Sequence, residues 1–267
     1  MAGLDTFPTN KITHAKYFRH PSKYKGKNVL LIGNGPSGAD LANQLLRYAN
    51  TVVRSVRSDP NPFAVVNPLV TDIAPIKQFT HRTIELVDGT SLDNIDFVIF
   101  CTGYLYSLSM FPKEAGFITP DGHYVHHLYD QTFYAEDPTL VFLGLQTQVI
   151  PFPTFQNQAI AAAKVWAQKL SLPPVEIMRK EEEEILERKG FETGKYHRCK
   201  PTEDVEMAER WRRWIEEDKS AGWENSMKPW TWTADRLAYR KAAPELKGLF
   251  LREIEAGNWD HLQQDTV

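Results

Sequence analysis

The sequence predicts an α/β protein. A strand–turn–helix–strand unit lies near the N-terminus, further strands follow, and the C-terminal region is helical. Three observations carry this expectation. Residues 28–56 read as an apolar strand, a glycine cluster, an amphipathic helix and a second β-branched strand, about the length of one βαβ unit. Phe97 to Cys101 is a continuous apolar run, the pattern of a strand buried on both faces of a parallel sheet. From Val175 onward the periodicity is helical.

Taken in order, residues 1–27 are polar, contain Pro8 and Pro21, and read as a connector. Asn28 to Ile32 is the first strand. Ala39 to Tyr48 is the helix, with Leu41, Ala42, Leu45 and Leu46 on its apolar side, and Thr51 to Val56 is the second strand. Residues 59–75 are proline-rich and read as loop. Ile76 to Phe79 and Arg82 to Val87 read as strands, and Asp88-Gly89 is a hairpin turn signal. Residues 112–139 read as loop with short extended pieces, and Leu140 to Leu145 as a buried strand. Phe155 to Leu170 reads as a helix ended by Pro173 and Pro174. Further helices are expected at 175–189, 203–219, 233–241 and 244–256, with Met207, Trp211, Trp214 and Ile215 on one face.

The chain has 267 residues, of which 42% are hydrophobic and 24% charged, enough apolar material for a core. A formal net charge of −3 gives no electrostatic reason to expect a nucleic-acid partner. No apolar signal segment opens the sequence, and the run from Phe97 to Phe111 is too short for a bilayer span. The two cysteines, Cys101 and Cys199, lie far apart with no CxxC. A reduced cytoplasmic protein is the expectation.

The glycine cluster reads Gly33-Asn34-Gly35-Pro36-Ser37-Gly38, a GxGxxG directly after a strand and at the mouth of a helix. Gly33 permits the tight turn, Gly35 presents no side chain to a pyrophosphate, and Gly38 lets helix and strand approach. The helix start offers free N–H groups and partial positive charge to phosphate. A ligand-free tight turn is the alternative. This motif predicts a Rossmann-like dinucleotide site.

The second strand selects the cofactor. NAD sites place Asp or Glu about 20 residues beyond the glycines, on the ribose 2′-hydroxyl. Here the segment reads Val53-Arg54-Ser55-Val56-Arg57-Ser58, with no carboxylate before Asp59. Arginine and serine suit a 2′-phosphate. NADPH is therefore the expected cofactor, with Ser55 and Arg57 as contacts. The alternative is a solvated strand end.

At this point the chain resembles the flavin-containing monooxygenases. The Gly33 cluster resembles the family's second, NADPH-binding glycine motif. Phe100-Cys101-Thr102-Gly103-Tyr104 resembles its ATGY-type motif, and Phe142-Leu143-Gly144-Leu145 with Pro151 to Gln158 resembles its closing FAD-domain strand and helix. The match runs through about 28–175 and more loosely through Pro229 to Thr233. The family's FxGxxxHxxx(Y/F) motif is imperfect here. His14 and Phe18 keep the HxxxF spacing, but Phe7 is one residue too far upstream and no intervening glycine occurs. The family also opens with an earlier glycine motif for FAD, and this chain has one such motif only.

The resemblance implies a division into four parts. These are a connector from an FAD lobe (1–27), a Rossmann-like NADPH-binding domain (28–104), the returning part of an incomplete FAD-binding domain (105–175) and a helical C-terminal extension (176–267). It implies a flavin-dependent monooxygenase of the N,N-dimethylaniline type, in shortened form. In that family NADPH reduces FAD, and the flavin C4a-hydroperoxide formed with O2 oxygenates an amine nitrogen or a sulfur of a small molecule. No protein nucleophile is expected. Thr102, Gly103 and Tyr104 would lie at the cofactor, although a packed core ring is the simpler expectation for Tyr104 alone. Asn157 and Gln158 would contact the flavin ring; that they only line a core helix is the rival expectation. A second possibility is a non-catalytic NADPH-binding remnant, or a subunit whose partner supplies the FAD lobe.

Other features carry less. Neighbouring His126 and His127 would face opposite sides of a strand, and no cluster completes a metal site. Glu181 to Glu184 reads as a solvated helix face. The YxxxK spacing of Tyr196 and Lys200 stands far from the glycines and reads as chance.

Overall fold

A computed structural model describes residues 1–57, 69–81, 83–200, 202–220 and 227–255. The chain forms two compact units. One comprises Met1–Tyr104 with Ala238–Val267, the other Leu105–Leu237.

The first unit is built on a five-stranded parallel sheet. Its strands are β1 (Ile12–His14), β2 (Asn28–Ile32), β3 (Thr51–Ser55), β4 (Thr71–Ile73) and, later in the chain, β8 (Phe97–Phe100). Their order across the sheet is β1-β8-β2-β3-β4. Helix α1 (Pro36–Leu45) connects β2 to β3. Strands β5 (Ile76–Phe79), β6 (Thr83–Leu86) and β7 (Ser91–Asp93) form a separate antiparallel sheet. The β6–β7 hairpin turns at Asp88-Gly89, where the Asp88 carboxylate accepts from the Thr90 backbone and hydroxyl.

The pleat of β2 explains why its run is apolar without alternation. Val29 and Leu31 pack with Leu41, Ala42 and Leu45 of α1, and with Ile99. Leu30 and Ile32 pack on the opposite face with Phe79, Ile84 and Val98. Both faces are covered, so every position needs an apolar side chain. Each large side chain fully buried here contributes about 1.5–3 kcal/mol relative to exposure.

Two elements depart from expectation. The stretch 1–27 is not a plain connector, since it supplies β1, an edge strand paired in parallel with β8 through Ile12↔Val98 and His14↔Phe100. The proline-rich stretch includes β4, paired with β3 through Arg54↔Asp72; residues 59–68 of that stretch lie outside the described residues.

In the second unit, β9 (Leu128–Tyr129) and β10 (Phe133–Tyr134) form a short hairpin, followed by α2 (Pro151–Trp166), α3 (Val175–Arg188) and α4 (Glu203–Ile215). Helix α2 begins at Pro151, four residues before the expected start, because proline's fixed φ and missing N–H suit a first helical turn. It packs on α4 through Ile160, Ala161, Ala162, Met207, Trp211 and Ile215. That core joins residues on both sides of position 175, where the sequence suggested a boundary.

Leu140 to Leu145 is not a strand. Only Val141 makes a bridge, to Phe133, and Gly144 takes φ +80°, which breaks the extended run. The segment is apolar because Phe142 and Leu145 pack against Val125 and Leu128. The expected helices at 233–241 and 244–256 are one helix, α5 (Ala234–Glu255).

Candidate dinucleotide-binding site

The C-terminal ends of four parallel strands lie side by side. Ile32 is in register with Ser55 on one side and Phe100 on the other, and Phe100 with His14. Ligands in open α/β sheets bind at this edge. The chain leaves β2 into the glycine turn. The Gly33 N–H donates to the Ser55 carbonyl at 3.0 Å, and the Cys101 N–H to the Ile32 carbonyl at 2.8 Å.

Each glycine of the motif meets a different constraint. Gly33 has φ +113°, and a Cβ there would lie 2.5 Å from the Cys101 carbonyl oxygen. A Cβ on Gly38 would clash with the Gly33 carbonyl. These two positions are therefore fixed by the protein's own packing. At Gly35 a Cβ would meet nothing within 4 Å. Packing does not require glycine at that position, and the space beside it is open.

Gly35 is also the N-cap of α1. It provides no side-chain cap, and no acidic residue lies in the first turn, which begins Pro36-Ser37-Gly38. The amides at this helix start are thus not neutralised by a carboxylate. Asn34 is unusual. Both polar atoms of its carboxamide are buried, and neither has a hydrogen-bond partner.

Thr102, Gly103 and Tyr104 leave β8 beside this turn, all exposed. Tyr104 is 65% exposed and meets the His14 ring edge-on at 5.1 Å. It is not the packed core ring the sequence suggested. His14 sits at the end of β1, and its Nδ1 accepts the Lys16 N–H. The HxxxF spacing was the one signal that marked His14, and it did not reveal the Tyr104 contact.

The second strand divides its polar residues. Arg54 is buried and makes a two-pronged pair with Asp72, at 2.7 and 2.8 Å. Ser55 is also buried, and its hydroxyl donates to the Ala74 carbonyl at 3.1 Å. Ser55 is therefore withdrawn as a phosphate contact, because its hydrogen is engaged in holding the chain beyond β4. Arg57 lies past the strand end and is exposed.

Gln158 is also corrected. It is fully buried in α2 and fully hydrogen-bonded. Its Nε2 donates to Thr132 Oγ1 and Gln146 Oε1, both at 2.9 Å, and its Oε1 accepts the Gly144 N–H at 3.1 Å. Asn157 is similarly engaged. Its Oδ1 accepts the Trp230 N–H at 2.6 Å, and its Nδ2 donates to the Trp230 and Ala208 carbonyls. Neither amide is free for a flavin ring.

The same interior holds His197, whose Nδ1 lies 2.9 Å from Gln131 Oε1 and whose Nε2 accepts the Val125 N–H. Burial pushes its pKa down to about 3, so the ring is neutral and donates through Nδ1. Glu181 and Glu182 are not a solvated face. They accept the backbone N–H groups of Asp130 and His127, and burial raises both to about 7. Cys101 and Cys199 are buried thiols raised to about 12, which keeps them protonated and unreactive. A separate cleft of 520 Å³ involves Phe7, Lys11, His81 and Asp93, and none of the expected site residues.

A parallel sheet with a glycine-rich strand-to-helix turn at its carboxyl edge defines a dinucleotide-binding α/β protein. The family model for flavin-binding monooxygenase-like proteins matches residues 1–61 and 54–210, and the chain belongs to that family. Its members use FAD and NADPH.

A flavin-containing monooxygenase of Aspergillus flavus is 31% identical over 226 residues, covering 73% of this chain and 45% of the relative. The thiol-specific monooxygenase of Saccharomyces cerevisiae is 34% identical over 184 residues, covering 64% and 42%. The chain thus spans under half the length of these relatives. Among solved structures, an S-allyl-L-cysteine S-oxygenase from Allium sativum superposes with a TM-score of 0.68 at 23% identity, over 92% of this chain and 60% of that one. That likeness concerns the fold. No helix among the described residues is long and apolar enough to cross a membrane.

Proposed function

We propose that this chain is the NADPH-binding portion of a flavin-dependent monooxygenase that oxygenates a nitrogen or sulfur of a small molecule. The observation that carries this reading is the turn at Gly35. It combines open space, an uncapped helix start and an exposed arginine, Arg57, past the end of the neighbouring strand. Family membership supports the reaction class, and relatives named thiol-specific and trimethylamine monooxygenases support sulfur or nitrogen as the acceptor atom.

The residues fit NADPH. The Gly33–Gly38 turn and the first amides of α1 would hold the pyrophosphate, because free N–H groups and the helix dipole favour negative charge. Arg57 would pair with the 2′-phosphate through a charged, two-pronged contact. Thr102, Gly103 and Tyr104 border the same strand edge, with Tyr104 steadied by His14. When bound, NADPH supplies a hydride; the chain's part is to anchor and orient it.

The residues offered for the flavin do not fit it. Asn157 and Gln158 are engaged inside the protein, so no step through flavin is assigned to them. This same observation favours the second reading, an NADPH-binding subunit or remnant whose flavin lobe lies on other polypeptide. Titrating the purified chain with NADPH, and separately with FAD, tests both. Saturable NADPH binding is expected, and its absence would remove the proposal.

A further inference from the structure

The Asn34 side chain presents a problem that the protein does not solve by itself. A buried amide without partners destabilises a fold, because it has lost its water and gained nothing in return. Asn34 has both an orphaned donor, Nδ2, and an orphaned acceptor, Oδ1. It sits between Gly33 and Gly35, inside the turn read above as the dinucleotide cradle. The backbone does not demand asparagine, since residue 34 is absent from the positive-φ positions. Other buried amides of this protein are satisfied, Gln158 through three hydrogen bonds and Asn157 likewise. Tyr196 Oη and the Nε1 atoms of Trp211, Trp230 and Trp232 also lack partners, but each leaves one polar atom orphaned on a mostly apolar ring, whereas Asn34 is the one side-chain amide among the described residues with both its donor and its acceptor orphaned.

The chemistry of the missing partner can be narrowed. A phosphate in its dianionic or diester form only accepts hydrogen bonds, so it would satisfy Nδ2 and leave Oδ1 orphaned. A group that both donates and accepts is needed. A dinucleotide carries such groups on its sugar hydroxyls and on the nicotinamide carboxamide, away from the pyrophosphate.

We propose that Asn34 is a ligand-reading residue, and that its carboxamide hydrogen-bonds a donor–acceptor group of the bound dinucleotide, a ribose hydroxyl or the nicotinamide carboxamide. The inference rests on the NADPH reading of the same turn. It assigns Asn34 a role separate from that of the glycines. Gly33 and Gly38 let the turn pack and Gly35 leaves space open for phosphate, while Asn34 recognises what is attached to it.

The test compares wild type with Asn34→Ala and the near-isosteric Asn34→Leu, using the full chain. Binding is measured by NADPH fluorescence titration, and stability by thermal melting without ligand. Removing an unsatisfied amide should leave the ligand-free melting temperature unchanged or raised in at least the leucine variant. NADPH affinity should fall about tenfold or more in both variants. Two fragments then locate the partner. Adenosine 2′,5′-bisphosphate carries the adenosine half, and reduced nicotinamide mononucleotide the other. A loss confined to the mononucleotide places the partner on the nicotinamide side, and a loss confined to the bisphosphate places it on the adenosine ribose.

Variants that bind NADPH as wild type does would overturn the inference while leaving the cradle intact. So would variants that melt earlier without ligand and keep their affinity, since Asn34 would then be structural. If wild type itself fails to bind NADPH, the functional reading falls along with it.

Discussion

Glycine is required at Gly33 and Gly38 for a different reason than at Gly35, and substitution separates the two. Gly38→Ala forces a Cβ into the Gly33 carbonyl, so strand and helix must move apart. We expect a lower melting temperature and lost NADPH binding together. Gly35→Ala meets open space and should leave the melting temperature close to wild type while weakening NADPH. Equal melting effects at both positions would contradict this division. Arg57→Ala should weaken NADPH far more than NADH, by about 1–3 kcal/mol, as one charged hydrogen-bond partner is lost; parallel titrations with the two cofactors read the difference. The packing roles of Gly33 and Gly38 were legible in the sequence because they follow from local backbone geometry. Ser55 was not. Serine and arginine two apart look equivalent in a strand pattern, but the strand stops at Ser55, whose hydroxyl turns to Ala74 while Arg57 stays in solvent.

At the scale of elements, α2 shows how a side chain can match a cofactor-contact pattern and still serve the core. Gln158→Ala would orphan the Gly144 N–H and leave Gln146 and Thr132 without their donor. A buried group left unsatisfied costs about 1–3 kcal/mol, so urea unfolding should shift to a clearly lower midpoint. NADPH affinity should not change, because both ends of the Gln158 amide are engaged inside the protein.

Helix α3 supports a pH prediction. Glu182 is raised to about 7 chiefly by burial, opposed by the His127 N–H it accepts. His127, 3.8 Å away, is itself lowered by burial and offers little positive charge near neutrality. A carboxyl raised on folding binds more protons folded than unfolded, so its effect on stability is unfavourable as pH rises from about 4.5 to about 7. Glu182→Gln should flatten that part of the stability–pH curve. An unchanged slope in pH-dependent denaturation would remove Glu182 as its source. The sequence read Glu181–Glu184 as solvated because a run of charge ordinarily is. Nothing local announces that a loop with His127, Asp130 and Gln131 at positive φ will place its N–H groups against α3. The short strands β1 and β4 escaped notice for a related reason. Three-residue strands gain their identity from ladder partners distant in sequence, as His14 does from Phe100.

At the scale of the molecule, the question is whether one chain holds both cofactors of its family. The sequence contains a single GxGxxG, and that motif lies in the unit whose strand edge presents Arg57 and the open Gly35 turn. Flavin would need a second phosphate cradle and free polar groups for its ring. The described residues of Leu105–Leu237 instead use Asn157, Gln158, Gln146, Gln131 and His197 in hydrogen bonds with one another or with the backbone. The relatives, whose own lengths are more than twice the matched region, have room for that second cradle elsewhere. We therefore expect the purified chain to be colourless, without the flavin absorbance band, and to remain so after incubation with FAD and gel filtration. The same sample should still quench or enhance NADPH fluorescence in a saturable way. Stoichiometric flavin retained through gel filtration would mean that a cradle exists outside the glycine turn described here, and would return flavin chemistry to this chain alone.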